Sequence, residues 1–283
     1  MKRVNQVTTE QIVEQDGCLL HYWLTGSEDK PLIIFTHGAG VDHHEFDAQV
    51  PFIAQEYRVL TWDVRGHGLS QLRGKEFTIR DAINDLLTML ERLGCSQATF
   101  VGHSMGGNIH QELVFYYPNS IRALVMLGCT CNTLKLSQLE MLQTQIAISL
   151  LKFYPWNLLK HQMVQVSAIS AEARAYLNRA FEQISKHNFI AVMTELTKVL
   201  HYEPGYHITQ PLLLTHGDND MTGNIKKIAS VWATREPNCR YQVIPKAGHA
   251  ANLDNSKFFN SLLLDFLHEY VPVTVTGKLP PWG

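Results

Sequence analysis

The sequence predicts an α/β protein with a mostly parallel, doubly wound central sheet and one inserted all-helical segment. Three observations carry that prediction. Short, continuously apolar runs rich in β-branched residues recur toward both ends of the chain, as expected for strands buried on both faces of a parallel sheet. Amphipathic helical stripes alternate with these runs, which places helices on both sides of the sheet. From Cys131 to about Gly205 the alternation stops and only helical periodicity remains.

Taken in order, residues 32–36 (LIIFT) form the first such run and stop at Gly38, and residues 57–62 stop at an Asp-x-Arg-Gly turn. Thr78, with Asp81 three residues on, resembles a helix-starting box ahead of the stripe Ile79, Ile83, Leu86, Leu90 and Leu93. A strand at 98–101 stops at Gly102, and the segment after Ser104 runs helical to Tyr117, where Pro118 ends it. Residues 123–127 make another strand, closed by Gly128. Within the insertion three stripes follow: Leu139, Leu142, Ile146 and Phe153, then Ala173, Leu177, Phe181 and Ile184, then Phe189, Val192, Leu196 and Val199. Alternation resumes with a strand at 211–215, a helix over Ile225, Ile228 and Trp232, a strand at 241–244, and a last helix carrying Phe259, Leu262, Leu263, Phe266 and Leu267. The expected division is a core of residues 1–130 and 206–272, a helical cap of 131–205, and a tail of 273–283 to which no role is assigned.

Composition excludes several classes. With 283 residues, 45% of them hydrophobic and 18% charged, the chain has ample apolar material for a core. Lys plus Arg number 24 and Asp plus Glu 26, a formal charge of −2, without any long block of like charge, so nucleic-acid binding has no electrostatic basis. The five cysteines, Cys18, Cys95, Cys129, Cys131 and Cys239, are scattered and lack zinc spacing, which points to unpaired thiols in a reducing compartment. No apolar run follows the two N-terminal cations and none reaches the length of a membrane span, so a cytoplasmic protein is expected.

The chemistry is carried by few residues. Gly102-His103-Ser104-Met105-Gly106 matches G-x-S-x-G directly after a strand and before a helix, the context a nucleophile elbow requires. Among 14 histidines, His249 is singled out because it sits on the loop beyond the last strand, at the same sheet edge as Ser104. The loop after the strand at 211–215 offers Asp218 and Asp220 as the carboxylate that would orient this base. Asp220, further past the strand tip, is preferred, giving the chain order Ser104, Asp220, His249. The loop His37-Gly38-Ala39-Gly40 follows the first buried strand, so the backbone N–H groups of Ala39 and Met105 are expected to form the oxyanion hole. Asp42, His43, His44, Glu45 and Asp47 have metal-ligand chemistry but not metal-ligand spacing, and read as a solvated, partly capping loop near the pocket mouth. No phosphate-cradling motif occurs, so neither cofactor nor metal is expected.

These segments, together with the Asp63-Val64-Arg65-Gly66-His67-Gly68-Leu69-Ser70 turn, resemble the α/β-hydrolase-fold serine hydrolases with a helical cap, from about residue 18 to 270. The resemblance implies that the Asp63–Ser70 turn is structural and that a covalent acyl-enzyme forms on Ser104. The substrate implied is a small-to-medium apolar carboxylic ester, lactone or thioester. Two alternatives stay open: a carbon–carbon bond hydrolase of ring-cleavage diketones using the same three residues, and a non-catalytic ligand-binding or signalling protein. The apolar cap residues Met141, Phe153, Tyr154, Trp156, Met163 and Phe189 are expected to pack mostly against the sheet, some of them roofing the pocket.

Overall fold

The computed structural model describes residues 7–273; the tail segment beyond Val273 lies outside the described residues. Eight strands form one sheet in the order β1-β2-β4-β3-β5-β6-β7-β8. They are β1 Thr8–Gln15, β2 Cys18–Thr25, β3 Leu32–Thr36, β4 Arg58–Trp62, β5 Ala98–His103, β6 Ile121–Leu127, β7 Leu212–Gly217 and β8 Cys239–Ile244. The pairs β1/β2 and β2/β4 are antiparallel and the rest parallel. The helices are α1 Val50–Ile53, α2 Ile79–Arg92, α3 Met105–Tyr116, α4 Gln138–Leu151, α5 Trp156–Ser167, α6 Ala171–Phe181, α7 Lys186–Lys198, α8 Ile225–Arg235, α9 Ala251–Asp254 and α10 Ser256–Tyr270.

Alternate residues of each central strand feed opposite faces. Ile34, Phe100, Leu124, Met126, Leu212 and Leu214 join one core with residues of α2, α3 and α8. Ile33, Phe35, Val101, Val125, Leu127 and Leu213 join the other with Ile53 of α1 and Phe259, Leu263 and Phe266 of α10. Strands β3 to β7 are buried along nearly their whole length, which is why they read as unbroken apolar runs. The β1–β2 hairpin is an addition to the expected elements. β1 buries only Val13 and carries a polar edge, so no apolar run marks it.

Four helices, α4 to α7, separate β6 from β7. Leu159, Val164, Ala173, Leu177, Ala180, Phe181, Ile184 and Phe189 form their own small core, which also takes in Val41 of the sheet domain. The expected inward packing of the first stripe is corrected. Leu139, Met141, Leu142 and Ile146 are exposed, and Phe153 is 85% exposed. The helix is apolar on nearly every side, so periodicity does not select a face. α4 instead turns Thr144, Ile148 and Leu151 inward. Among the described residues no helix is long and apolar enough to cross a membrane.

Candidate active site

The sheet brings every candidate residue to the carboxyl ends of its parallel strands. β5 ends at His103, and Ser104 follows with φ +49° and ψ −113° before α3 begins at Met105. A left-handed φ on a residue with a Cβ is strained backbone. Close packing holds it: a Cβ on Gly106 would lie 2.1 Å from the carbonyl oxygen of Thr36. The Ser104 N–H donates to Leu127 O at 2.9 Å, which fixes the turn to the end of β6. The side chain stands partly exposed at the head of α3.

His249 follows β8 on a loop and is 6% exposed; Asp220 follows β7 and is 3% exposed. His249 Nδ1 lies 3.0 Å from Asp220 Oδ2. The other Asp220 oxygen accepts the Thr222 N–H at 2.8 Å. Burial by itself would raise the Asp220 pKa, but the His249 hydrogen bond and charge, with the Thr222 bonds, outweigh it and hold the carboxyl below its ordinary value. Asp218 points elsewhere: it is exposed and accepts the Ala247 N–H at 3.0 Å. The carboxylate that meets the imidazole is therefore Asp220.

Ser104 and His249 do not form a hydrogen bond with each other among the described residues. Both lie beside the end of β6. A Cβ on Gly128 would lie 3.3 Å from His249 Nδ1, and Leu127, just before it, accepts the Ser104 N–H. Nucleophile–base contacts of unliganded hydrolytic sites commonly tighten only with substrate. Gly38 lies beside the nucleophile, its added Cβ falling 3.6 Å from Ser104 Cβ. Neither Ala39 nor Met105 gives its N–H to another group among the described residues. Met105, at the first turn of α3, has no intrahelical acceptor within reach.

The acidic and histidine-rich stretch after the first loop is corrected in part. Asp42 and Glu45 are buried, at 4% and 0% exposure, while His44 and Asp47 face solvent. Asp42 caps the short helical turn His43–Phe46 by accepting the His44 N–H. It also accepts from Tyr176 Oη at 2.9 Å and Gln183 Nε2 at 2.8 Å, so the helical insertion holds it. Glu45 sits against His103. Phe46, fully buried, is the one apolar residue in this run and draws it against the sheet. Asp254, absent from the expected site, ties the base loop down by accepting the Gly248 N–H at 2.8 Å. In the Asp63–Ser70 turn, Asp63 accepts the Leu69 N–H at 2.7 Å, and Arg65 forks onto Asp85 of α2 at 2.7 and 2.5 Å. No cluster of metal-ligating side chains occurs among the described residues.

A parallel sheet with a strained serine between β5 and α3, and a carboxylate-bound histidine at the same edge, defines an α/β-hydrolase. The chain belongs to the family described as serine aminopeptidase, S33, which matches residues 27–256. It is 33% identical to 3-oxoadipate enol-lactonase 1 of Acinetobacter baylyi over 119 residues, 40% of this chain and 44% of that protein. The match thus spans less than half of that curated relative. Over 267 residues it is 24% identical to a putative carbamate hydrolase, RutD, of Stutzerimonas stutzeri, covering 88% of this chain and 97% of that one. The crystal structure of the enol-lactonase from Burkholderia xenovorans superposes with a TM-score of 0.77 at 21% identity, covering 91% of this chain and all (100%) of the other.

Proposed function

We propose that the protein is a serine hydrolase that cleaves a small-to-medium apolar carboxylic ester, lactone or thioester through an acyl-enzyme on Ser104. The observation that carries this reading is the backbone of Ser104, held at φ +49° on the strand–helix turn at the edge where His249 meets Asp220. Strain of that kind persists only where surrounding structure enforces it, and it clusters at reactive residues. His249 takes the Ser104 proton as the oxygen attacks the carbonyl carbon. Asp220, kept ionised by its bonds, holds the imidazole tautomer and stabilises the imidazolium. The Ala39 and Met105 N–H groups receive the developing oxyanion, aided by the positive end of α3. His249 then protonates the leaving group and activates water for deacylation.

The names of the relatives, an enol-lactonase and a carbamate hydrolase, support cleavage at a carboxyl-type carbonyl. The insertion serves as the cap in this reading: Phe181 lies against Gly40 of the oxyanion loop, and α6 holds Asp42. Five free cysteines support a reducing, cytoplasmic setting.

Labelling with a fluorophosphonate, followed by peptide mass spectrometry, tests the reading. Stoichiometric adduct on the Ser104 peptide is expected, with none in Ser104→Ala, whose turnover falls by on the order of 10⁶. A folded wild-type protein that stays unlabelled would sink the proposal and favour a ligand-binding role.

A further inference from the structure

Beneath the nucleophile turn lies a buried charged pair that the triad does not use. His103 Nδ1 stands 2.5 Å from Glu45 Oε1, and His103 Nε2 stands 3.1 Å from the backbone carbonyl of His249. A carbonyl oxygen only accepts, so Nε2 carries a hydrogen. Glu45 Oε1 faces Nδ1 at ion-pair distance but off the line of a hydrogen bond, and neither atom has a hydrogen-bond partner among the described residues. A buried carboxylate that close attracts positive charge onto the ring and favours the imidazolium form. The remaining Glu45 oxygen accepts the Gly38 N–H at 2.9 Å, and the Glu45 carbonyl accepts from Asn252 Nδ2 at 3.1 Å. One chain of contacts therefore runs from the oxyanion loop through Glu45 and His103 to the base loop.

We propose that Glu45 and His103 are positioning residues, a buried ion pair that fixes Gly38 against His249 and keeps a positive charge beside the base ring. The proposal rests on the Ser104–His249–Asp220 reading above. The rings of His103 and His249 lie 4.7 Å apart between centroids.

The other groups facing the pair are accounted for. His37 is neutral by geometry, donating from Nδ1 to Gly38 O and accepting the Val64 N–H at Nε2. Asp220 faces His103 and favours its charge. Asp42 and Tyr176 stand beyond Glu45, bonded to each other. Burial works to discharge both members, yet their mutual attraction prevails: Glu45 is held below the ordinary carboxyl value and His103 above the ordinary imidazole value.

The experiment reads the fluorophosphonate labelling rate for wild type, Glu45→Gln, Glu45→Asp and the double variant Glu45→Gln/His103→Gln, each checked for folding by circular dichroism. Wild-type labelling at Ser104 first confirms the underlying triad reading; its absence condemns that reading rather than the brace. Given labelling, the proposal expects Glu45→Gln and the double variant to react at least tenfold more slowly. Glu45→Asp, which keeps the carboxylate, should restore part of the rate. A wild-type labelling rate in any folded charge-neutral variant, or a Glu45→Asp variant no faster than Glu45→Gln, overturns the proposal. A second measurement needs no variant to fold: NMR of wild-type protein carrying ¹⁵N-histidine. A doubly protonated His103 ring that persists above neutral pH supports the proposal, and a neutral His103 tautomer at pH 7 overturns it.

Discussion

The carbonyl of Ser167, the last residue of α5, accepts the N–H of Ala250 at 2.8 Å. The helical insertion is thereby bonded to the residue next to His249. Asp254 reinforces the same junction. Its carboxylate takes the N–H of Gly248 from the base loop and those of Ile169 and Ser170 from the turn after α5. Asp254→Ala would leave three N–H groups without their acceptor. An unfolding free energy lower by about 1–3 kcal/mol is expected in urea titrations, together with slower labelling of Ser104. Asp254→Asn keeps one acceptor oxygen and should fall between. Wild-type stability and labelling in Asp254→Ala would show that the junction holds neither.

At the opposite side of the site, Gly40 has φ +83°, and an added Cβ would lie 2.4 Å from Phe181 Cε1. Phe181 is itself buried, at 3% exposure, and meets Phe189 edge-on. It has no room to swing away. Gly40→Ala therefore combines a disfavoured backbone with overpacking. A loss of about 2 kcal/mol is expected from the two together. Because Ala39 precedes it, the labelling rate should fall as well. Differential scanning calorimetry alongside labelling checks both, and an unchanged melting temperature would contradict the contact.

Ser104 supplies a test of stored strain. Glycine adopts φ +49° without Cβ conflict, but it also has more freedom to lose on folding. Relief of roughly 1–3 kcal/mol of strain against about 0.5–1 kcal/mol of entropy leaves Ser104→Gly more stable than wild type by about 1 kcal/mol. It should be inert to fluorophosphonate. A variant that is inert and no more stable would mean that the turn costs the fold little.

Legibility in the sequence followed burial. Strands β3 to β7 announce themselves because both faces are apolar, and the turn at Ser104 because a strand, two glycines and a helix leave it one conformation. β1 is legible only in hindsight: at the sheet edge its residues face solvent, and Val13 alone marks the core side. α4 misleads for the opposite reason, carrying leucines and isoleucines on faces that nothing covers among the described residues. Asp220 could be ranked over Asp218 from its place on the loop, but only the fold shows Asp218 turned back to Ala247. Glu45 looks like one member of a polar surface run. Its burial depends on His103, which the chain brings alongside only after β3 and β5 pair.

The buried histidines set the pH dependence of stability. His67 and His110 are desolvated by burial, and both are pushed down from 6.5 to about 3. Their stabilising contribution is complete above 6.5, the ordinary imidazole value. As pH falls, the unfolded chain gains protons there that the folded one refuses, and stability drops by up to about 1.4 kcal/mol per pH unit for each group. Glu45 and Asp220, held below their ordinary values, add to the loss at lower pH. His103 has the reverse sign. Raised above 6.5 by Glu45 against the cost of burial, it contributes fully below that value and less as pH rises through its own folded pKa. The opposing slopes meet near 6.5. Urea midpoints measured from acid to mildly alkaline pH should peak there. His110→Gln should flatten the acid side alone and Glu45→Gln the alkaline side together with part of the acid loss, while a single rise with pH through the whole range would show that His103 is not charged in the folded protein.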